Sequence, residues 1–305
     1  MRASEDFDER FGQQPVLASK LKPPRLRMAL NRSRLLERID LAKKIKLVNL
    51  CAGAGFGKTT MMAQIAQTFA GHSAWYQIDA LDNDPAFFIR NLVAGVTHAC
   101  SLTPERTQAR LNETTDFSSD GESVLAVFMD ELGEQNSTPL VVCFDDLHLL
   151  EPSGSTLRLI EAFLQNLSEK VSVVIASRTT TGLTLSRLRS QGAVFDVGEV
   201  DLKFSLEELS ALMNAWDISV SDTTLRQVHK STEGWAAGLV LTEAYLRSGD
   251  EAPDLFAHRM MQKNVYEYLA EEVLRKQPAE ARDILMKVAL IDPLDPAICM
   301  QSLGN

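Results

Sequence analysis

The chain has 305 residues, 45% of them hydrophobic, with 31 Lys and Arg against 41 Asp and Glu for a formal net charge of −10. That length suits about two domains of roughly 100–200 residues, and the hydrophobic share excludes a disordered chain. The four cysteines (Cys51, Cys100, Cys143, Cys299) lie far apart without a C-x-x-C pair, which excludes a disulfide scaffold or a zinc ribbon. No apolar run reaches the roughly 18 residues that span a bilayer, and the polar, acidic start MRASEDFDERFG lacks the core of a secretory signal. These features predict a reduced, cytoplasmic protein.

Charge is unevenly placed. Residues 20–46 hold ten basic and two acidic side chains, a local +8 that leaves −18 for the rest. Such a stretch needs an anionic partner or a solvated face. Nucleic acid, a nucleotide phosphate and the protein's own acids are the candidates.

Residues 47–52 (LVNLCA) are a short apolar run ahead of glycines, as in a buried strand entering a loop. Residues 58–70 follow with helical spacing, placing Met62, Ile65, Ala66 and Phe69 on one side. A second strand is predicted at 73–78 and an amphipathic helix at 85–99, opened by Pro85. Residues 101–120 read as a polar loop with a short helix, and 121–135 as a further helix. The unbroken run LVVCF (140–144) fits a strand covered on both faces. A helix at 154–166 and a strand at 171–176 complete an alternation typical of a parallel sheet flanked by helices. Beyond about residue 200 only helical periods continue, at 205–214, 222–231, 235–247, 254–274 and 278–290. Ser205 and Glu208 have capping-box spacing.

The chemistry concentrates at strand ends. Ala52-Gly53-Ala54-Gly55-Phe56-Gly57-Lys58-Thr59-Thr60 lies between a strand and a helix, the context a phosphate-binding loop requires. Ala52 stands where the strict pattern has Gly, and a small residue fits that turn. The glycines let amides converge on phosphate oxygens, and the helix adds the positive end of its dipole. In this reading Gly53, Ala54, Gly55, Phe56 and Gly57 form the cradle. Lys58 bridges the β- and γ-phosphates, Thr59 ligates Mg²⁺, and Thr60 lies near the α-phosphate. Asp145 and Asp146 end the LVVCF strand; Asp145 is placed to hold Mg²⁺ and Asp146 to orient or deprotonate the attacking water. Arg178, after the strand ending in Ser177, offers a planar fork to a γ-phosphate. His148 reads as a structural histidine or a sensor of that site. Cys51 and Cys143 read as small buried hydrophobes.

Taken in order, these segments resemble the nucleotide-binding half of MalT-like, LuxR-type large ATP-binding regulators, within the STAND class of signal-transduction ATPases. The resemblance runs from Leu21-Lys22-Pro23-Pro24 and 30–36 through AGAGFGKTT, residues 75–88, Phe144–His148, Ile175–Arg178, Thr232–Leu239 and Val265–Leu274. It implies a P-loop α/β domain followed by a helical lid and the start of a winged-helix domain, with boundaries at 1–46, 47–200, 201–262 and 263–305. It implies an ATP/ADP switch with slow Mg²⁺-dependent hydrolysis, nucleotide held between the α/β domain and the lid, and self-association in the ATP form. It places Arg32 and, less directly, Arg34 beside the nucleotide. Inducer and DNA contacts fall to domains beyond residue 305, so these residues are expected to bind neither nucleic acid nor membrane. The family's Gly-Trp-Pro is Gly234-Trp235-Ala236 here, which implies a weaker ADP-locked state. The rival readings are a P-loop phosphotransferase or nucleotide kinase, disfavoured by the scattered Arg226, Arg247, Arg259 and Arg275 over 205–275, and a non-catalytic nucleotide-binding module.

Overall fold

A computed structural model describes residues 16–26, 30–39, 45–247, 270, 274, 275 and 278–288. The chain separates into two compact units, residues 1–217 and 218–305. The first is built on five parallel strands: β1 (Leu47–Cys51), β2 (His72–Gln77), β3 (Leu140–Asp145), β4 (Val171–Ser177) and β5 (Val194–Val197). Their spatial order is β2-β3-β4-β1-β5. Four strands match the predicted ones within a residue or so. β5, an edge strand of four residues, was not foreseen.

Alternation within the buried strands sorts side chains to two faces. Tyr76, Val142, Phe144, Val173 and Ile175 face one apolar layer. It is completed by α3 (Pro85–Cys100), α4 (Glu105–Glu113), α5 (Phe117–Gln135) and α6 (Ser155–Gln165). The intervening Val48, Leu50, Trp75, Val141, Cys143, Val174 and Ala176 face the other layer. There α1 (Ser33–Leu36) contributes Leu35, and α2 (Lys58–Thr68) contributes Met61, Met62 and Ile65. Tyr76, Phe88, Phe144 and Phe163 form a chain of ring contacts with centroids 5.4 to 6.2 Å apart.

Short helices α7 (Ser186–Ser190) and α8 (Glu199–Leu202) flank β5, and α9 (Leu206–Ala215) closes the first unit. The expected capping box starts α9: Ser205 Oγ accepts from the Glu208 amide, and Glu208 accepts from the Ser205 amide. The second unit contains α10 (Asp222–Thr232) and α11 (Ala236–Arg247). They are joined through Glu233 and Gly234, both at positive φ. It also contains α12 (Ala279–Val288). The helix expected at 254–274, the segment Val265–Leu274 and Cys299 lie almost wholly outside the described residues, as does most of 263–305.

The basic lead-in is fastened to the protein's own acids. Lys20 is 5% exposed, and its ammonium sits 2.5 Å from Asp82 and 2.9 Å from Asp79. Tyr76 donates its hydroxyl to the same fully buried Asp82, at 2.6 Å. A lone carboxylate could not be held there, because desolvation far outweighs the few hydrogen bonds available. Lys20→Ala strips Asp82 of its counter-charge and is expected to cost about 3–5 kcal/mol in urea denaturation. A loss below 1 kcal/mol would show that Tyr76 and the backbone suffice.

Candidate functional site

The loop between β1 and α2 takes its shape from two glycines at positive φ, Gly55 at 75° and Gly57 at 82°. Gly57 is the residue before the helix, where an L side chain would cost about 1–2 kcal/mol. Lys58 opens α2 and is only 7% exposed. Its ammonium donates to the carbonyl of Gly53 at 2.7 Å. Burial, followed by the nearby Arg178, pulls the Lys58 pKa below the ordinary lysine value, while Asp146 and Asp145 oppose this. The cation is desolvated and already held beside the loop.

β3 delivers the acids. Asp145 is 1% exposed and accepts hydrogen bonds from the Thr59 hydroxyl and, at 3.0 Å, from the Asp146 amide. Burial first, and the Asp146 charge second, raise Asp145 to about 6 against those hydrogen bonds and Lys58. Asp146 turns through the left-handed region at φ 58°. Its Oδ2 accepts from the Gln77 side-chain amide at 2.8 Å, and Oδ1 lies 3.8 Å from His148 Nδ1.

Strand order assembles these groups. β4 lies between β1 and β3, so Ser177 and Arg178 emerge between the loop and the two acids. Cys51 is in register with Ser177, and the Ala52 amide donates to the Ser177 carbonyl at 3.2 Å. Loop, Lys58, Thr59, Asp145, Asp146 and Arg178 therefore meet at the carboxyl edge of a parallel sheet, where open α/β folds bind ligands. Thr59 and Asp145 supply hard oxygen donors suited to Mg²⁺. Among the described residues no cluster of three His, Cys, Asp or Glu could hold a metal alone. A divalent ion here would draw its remaining ligands from phosphate and water.

Arg32 and Arg34 extend their side chains to the segment after β5. Arg32 is 5% exposed and lies over the Phe204 ring, 4.1 Å from its centroid. Its Nε donates to Glu208 at 3.0 Å, and Nη1 and Nη2 donate to the carbonyls of Leu202 and Lys203. Arg34 bonds the same Glu208 and the Asp201 carbonyl. Although burial pushes Glu208 upward, the Ser205 amide and the two arginines hold it below the usual carboxylate range. The side-chain hydrogen bonds of both arginines run to the 201–208 segment, while the Arg32 amide donates to Gln64 Oε1 of α2 at 3.1 Å.

Two groups that touch the site escaped sequence reasoning. Gln77 ends β2 and is one polar residue among many in that region. Glu199 follows β5, and its Oε1 accepts from the Gly53 amide at 2.9 Å. Recognising the edge strand would have been the signal for it.

Comparison with known proteins extends this picture. No protein-family model matches the chain. It is 27% identical over 297 residues to the HTH-type transcriptional regulator MalT of Serratia proteamaculans. It is 30% identical over 301 residues to MalT of Vibrio cholerae. Both matches cover 95% of this chain and 32% of the relative. It is also 28% identical over 284 residues to the serine/threonine-protein kinase PknK of Mycobacterium tuberculosis, covering 91% of this chain and 25% of that one. The chain thus spans about a third or less of these relatives' length. Among solved structures, a signal transduction ATPase with numerous domains (STAND) bearing a tetratricopeptide repeat sensor, from Pyrococcus horikoshii, superposes with TM-score 0.57 at 19% identity. That match covers 92% of this chain and 39% of the other. The chain is thus similar to MalT along nearly its whole length and shares its fold with the STAND structure.

The raised Asp145 has a measurable consequence without nucleotide or metal. An ordinary unfolded carboxylate titrates near 3.9, so the native state binds the extra proton between about pH 4 and 6. At pH 7.5 the ionised Asp145 is a net cost, relieved as pH falls through 6. Asp145→Asn is expected to stabilise the metal-free chain by about 2–3 kcal/mol at pH 7.5, with the gain fading by about pH 4. A gain or loss that is the same at all pH values would contradict this. No described helix is long and apolar enough to cross a membrane.

Proposed function

We propose that this chain is the nucleotide-binding switch module of a MalT-like regulator. It takes ATP or ADP with Mg²⁺ at residues 52–60 and hydrolyses ATP slowly. The observation that carries the reading is the convergence of Lys58, Thr59, Asp145, Asp146 and Arg178 around a glycine-shaped loop at the sheet's carboxyl edge.

The chemistry follows from what each group already does. The loop amides and the amino end of α2 attract phosphate oxygens. Lys58 exchanges the Gly53 carbonyl for non-bridging phosphate oxygens, and its charge, poorly compensated while buried, favours that exchange. Thr59 and Asp145 would hold Mg²⁺, which would supply positive charge against the phosphate oxygens. Asp146 orients the attacking water and accepts its proton. Gln77 engages one oxygen of that carboxylate, which fits slow turnover. Arg178 stabilises charge on the γ-phosphoryl group. A long-lived γ-phosphate is what a two-state regulator needs. We extend the proposal to self-association in the ATP form. Inducer and DNA contacts would be made by other parts of a longer protein such as the MalT relatives.

The similarity to PknK does not favour protein phosphorylation by these residues. Protein kinases cover phosphates with a G-x-G-x-x-G loop and place the lysine on a strand. Here Lys58 opens a helix after a phosphate loop.

Lys58→Ala is expected to lower ATP·Mg²⁺ affinity at least 100-fold, by about 2.7 kcal/mol, measured with a fluorescent analogue. Undiminished affinity would refute the site assignment. Asp146→Ala should leave binding within about threefold while slowing phosphate release about 100-fold. Unchanged hydrolysis would exclude Asp146 as the water-orienting group.

A further inference from the structure

Glu199 occupies a position that neither the loop motif nor the acid pair explains. β5 runs beside β1, with Val197 in register with Leu50, so the residues after β5 arrive level with the phosphate loop. Glu199 is the first residue of α8, and its side chain is exposed, so burial does not require it there. Its carboxylate nonetheless accepts from the Gly53 amide at 2.9 Å. The carbonyl of Gly53 accepts the Lys58 ammonium at 2.7 Å. One residue is thus gripped at its amide by an anion and at its carbonyl by a cation. Hydrogen bonds in such a chain polarise and strengthen one another. A Cβ at residue 53 would lie 3.2 Å from Glu199 Oε1, tighter than ordinary contact, so the glycine leaves room for the carboxylate.

α8 is itself clamped. The Gly198 amide donates to Asp201 Oδ2 at 3.1 Å. Arg34 donates to the Asp201 carbonyl at 2.7 Å, Arg38 to Asp201 Oδ1 at 3.1 Å, and Arg32 to the Leu202 carbonyl at 3.1 Å. Three arginines of the lead-in therefore fix the turn that carries Glu199.

We propose that Glu199 is a positioning residue for the phosphate loop: by holding Gly53 it sets the carbonyl on which Lys58 rests and presents the loop in its open, ligand-ready shape. It acts through Gly53 and touches no phosphate; a carboxylate among phosphate oxygens would repel them. The part of this inference that concerns affinity rests on the nucleotide reading above. The part that concerns loop geometry does not.

The test uses the whole chain with Glu199→Ala and Glu199→Gln. Glutamine keeps an acceptor oxygen at the same reach and serves as the rescue. Without nucleotide, amide exchange at Gly53 is expected to accelerate about tenfold in the alanine variant and to return within about threefold of the parent in the glutamine variant, with protection at 141–144 unchanged in both. ATP·Mg²⁺ affinity should then fall about three- to tenfold in the alanine variant, with kcat unaltered and near-parent affinity for glutamine. Equal Gly53 exchange in the alanine variant and the parent overturns the proposal, as does failure of glutamine to restore protection. Faster Gly53 exchange in the alanine variant, together with a parent chain that binds no nucleotide, supports the positioning role and refutes the nucleotide reading instead.

Discussion

Lys58 bears a full charge at 7% exposure, and the ligand end of the first unit is organised around making that charge tolerable. A buried ammonium without partners would lose its proton or drive the loop open. Here the Gly53 carbonyl receives it, and Asp145 and Asp146 lie near enough to oppose burial, while Arg178 opposes them. The balance leaves both signs of charge incompletely satisfied: Lys58 is drawn down and Asp145 is drawn up. A polyanion carrying a divalent cation would relieve both together. The same charges that make the empty loop costly make it selective for phosphate with metal.

That arrangement depends on strand order. Because β4 separates β1 from β3, the loop and the acids do not face each other across one strand gap. The space between them receives the end of β4, with Ser177 fully buried and its hydroxyl donating to the Thr179 carbonyl at 2.7 Å. Arg178 is thereby presented between Lys58 and the acid pair. A β1–β3 pairing would leave no such place for a second cation.

Much of this was legible in the sequence because it is written locally. Glycine spacing before Lys58, the apolar run into Asp145 and Asp146, and the capping box at Ser205 each depend on residues a few positions apart. What stayed hidden depends on distant partners. Residues 194–197 form a strand by pairing with the β1 edge, and a run of four residues carries little periodicity. Without β5, nothing marked Glu199. Gln77 likewise gains significance only where β2 pairs with β3 and brings it beside Asp146.

The basic lead-in shows the limit most clearly. Counting charge revealed a +8 stretch, and the family resemblance turned its arginines toward the nucleotide. The structure gives those charges partners on the protein: Lys20 on Asp79 and Asp82, Arg32 and Arg34 on Glu208, Arg38 on Asp201. The two buried members, Lys20 and Arg32, matter most, since exposed pairs contribute about 0–1 kcal/mol each. They lie on opposite flanks of the sheet. Lys20 is tied to the turn after β2, whose last residue Gln77 holds Asp146. Arg32 is tied to the segment after β5, from which Glu199 holds Gly53. The described lead-in residues thus brace both ends of the phosphate site through intermediates.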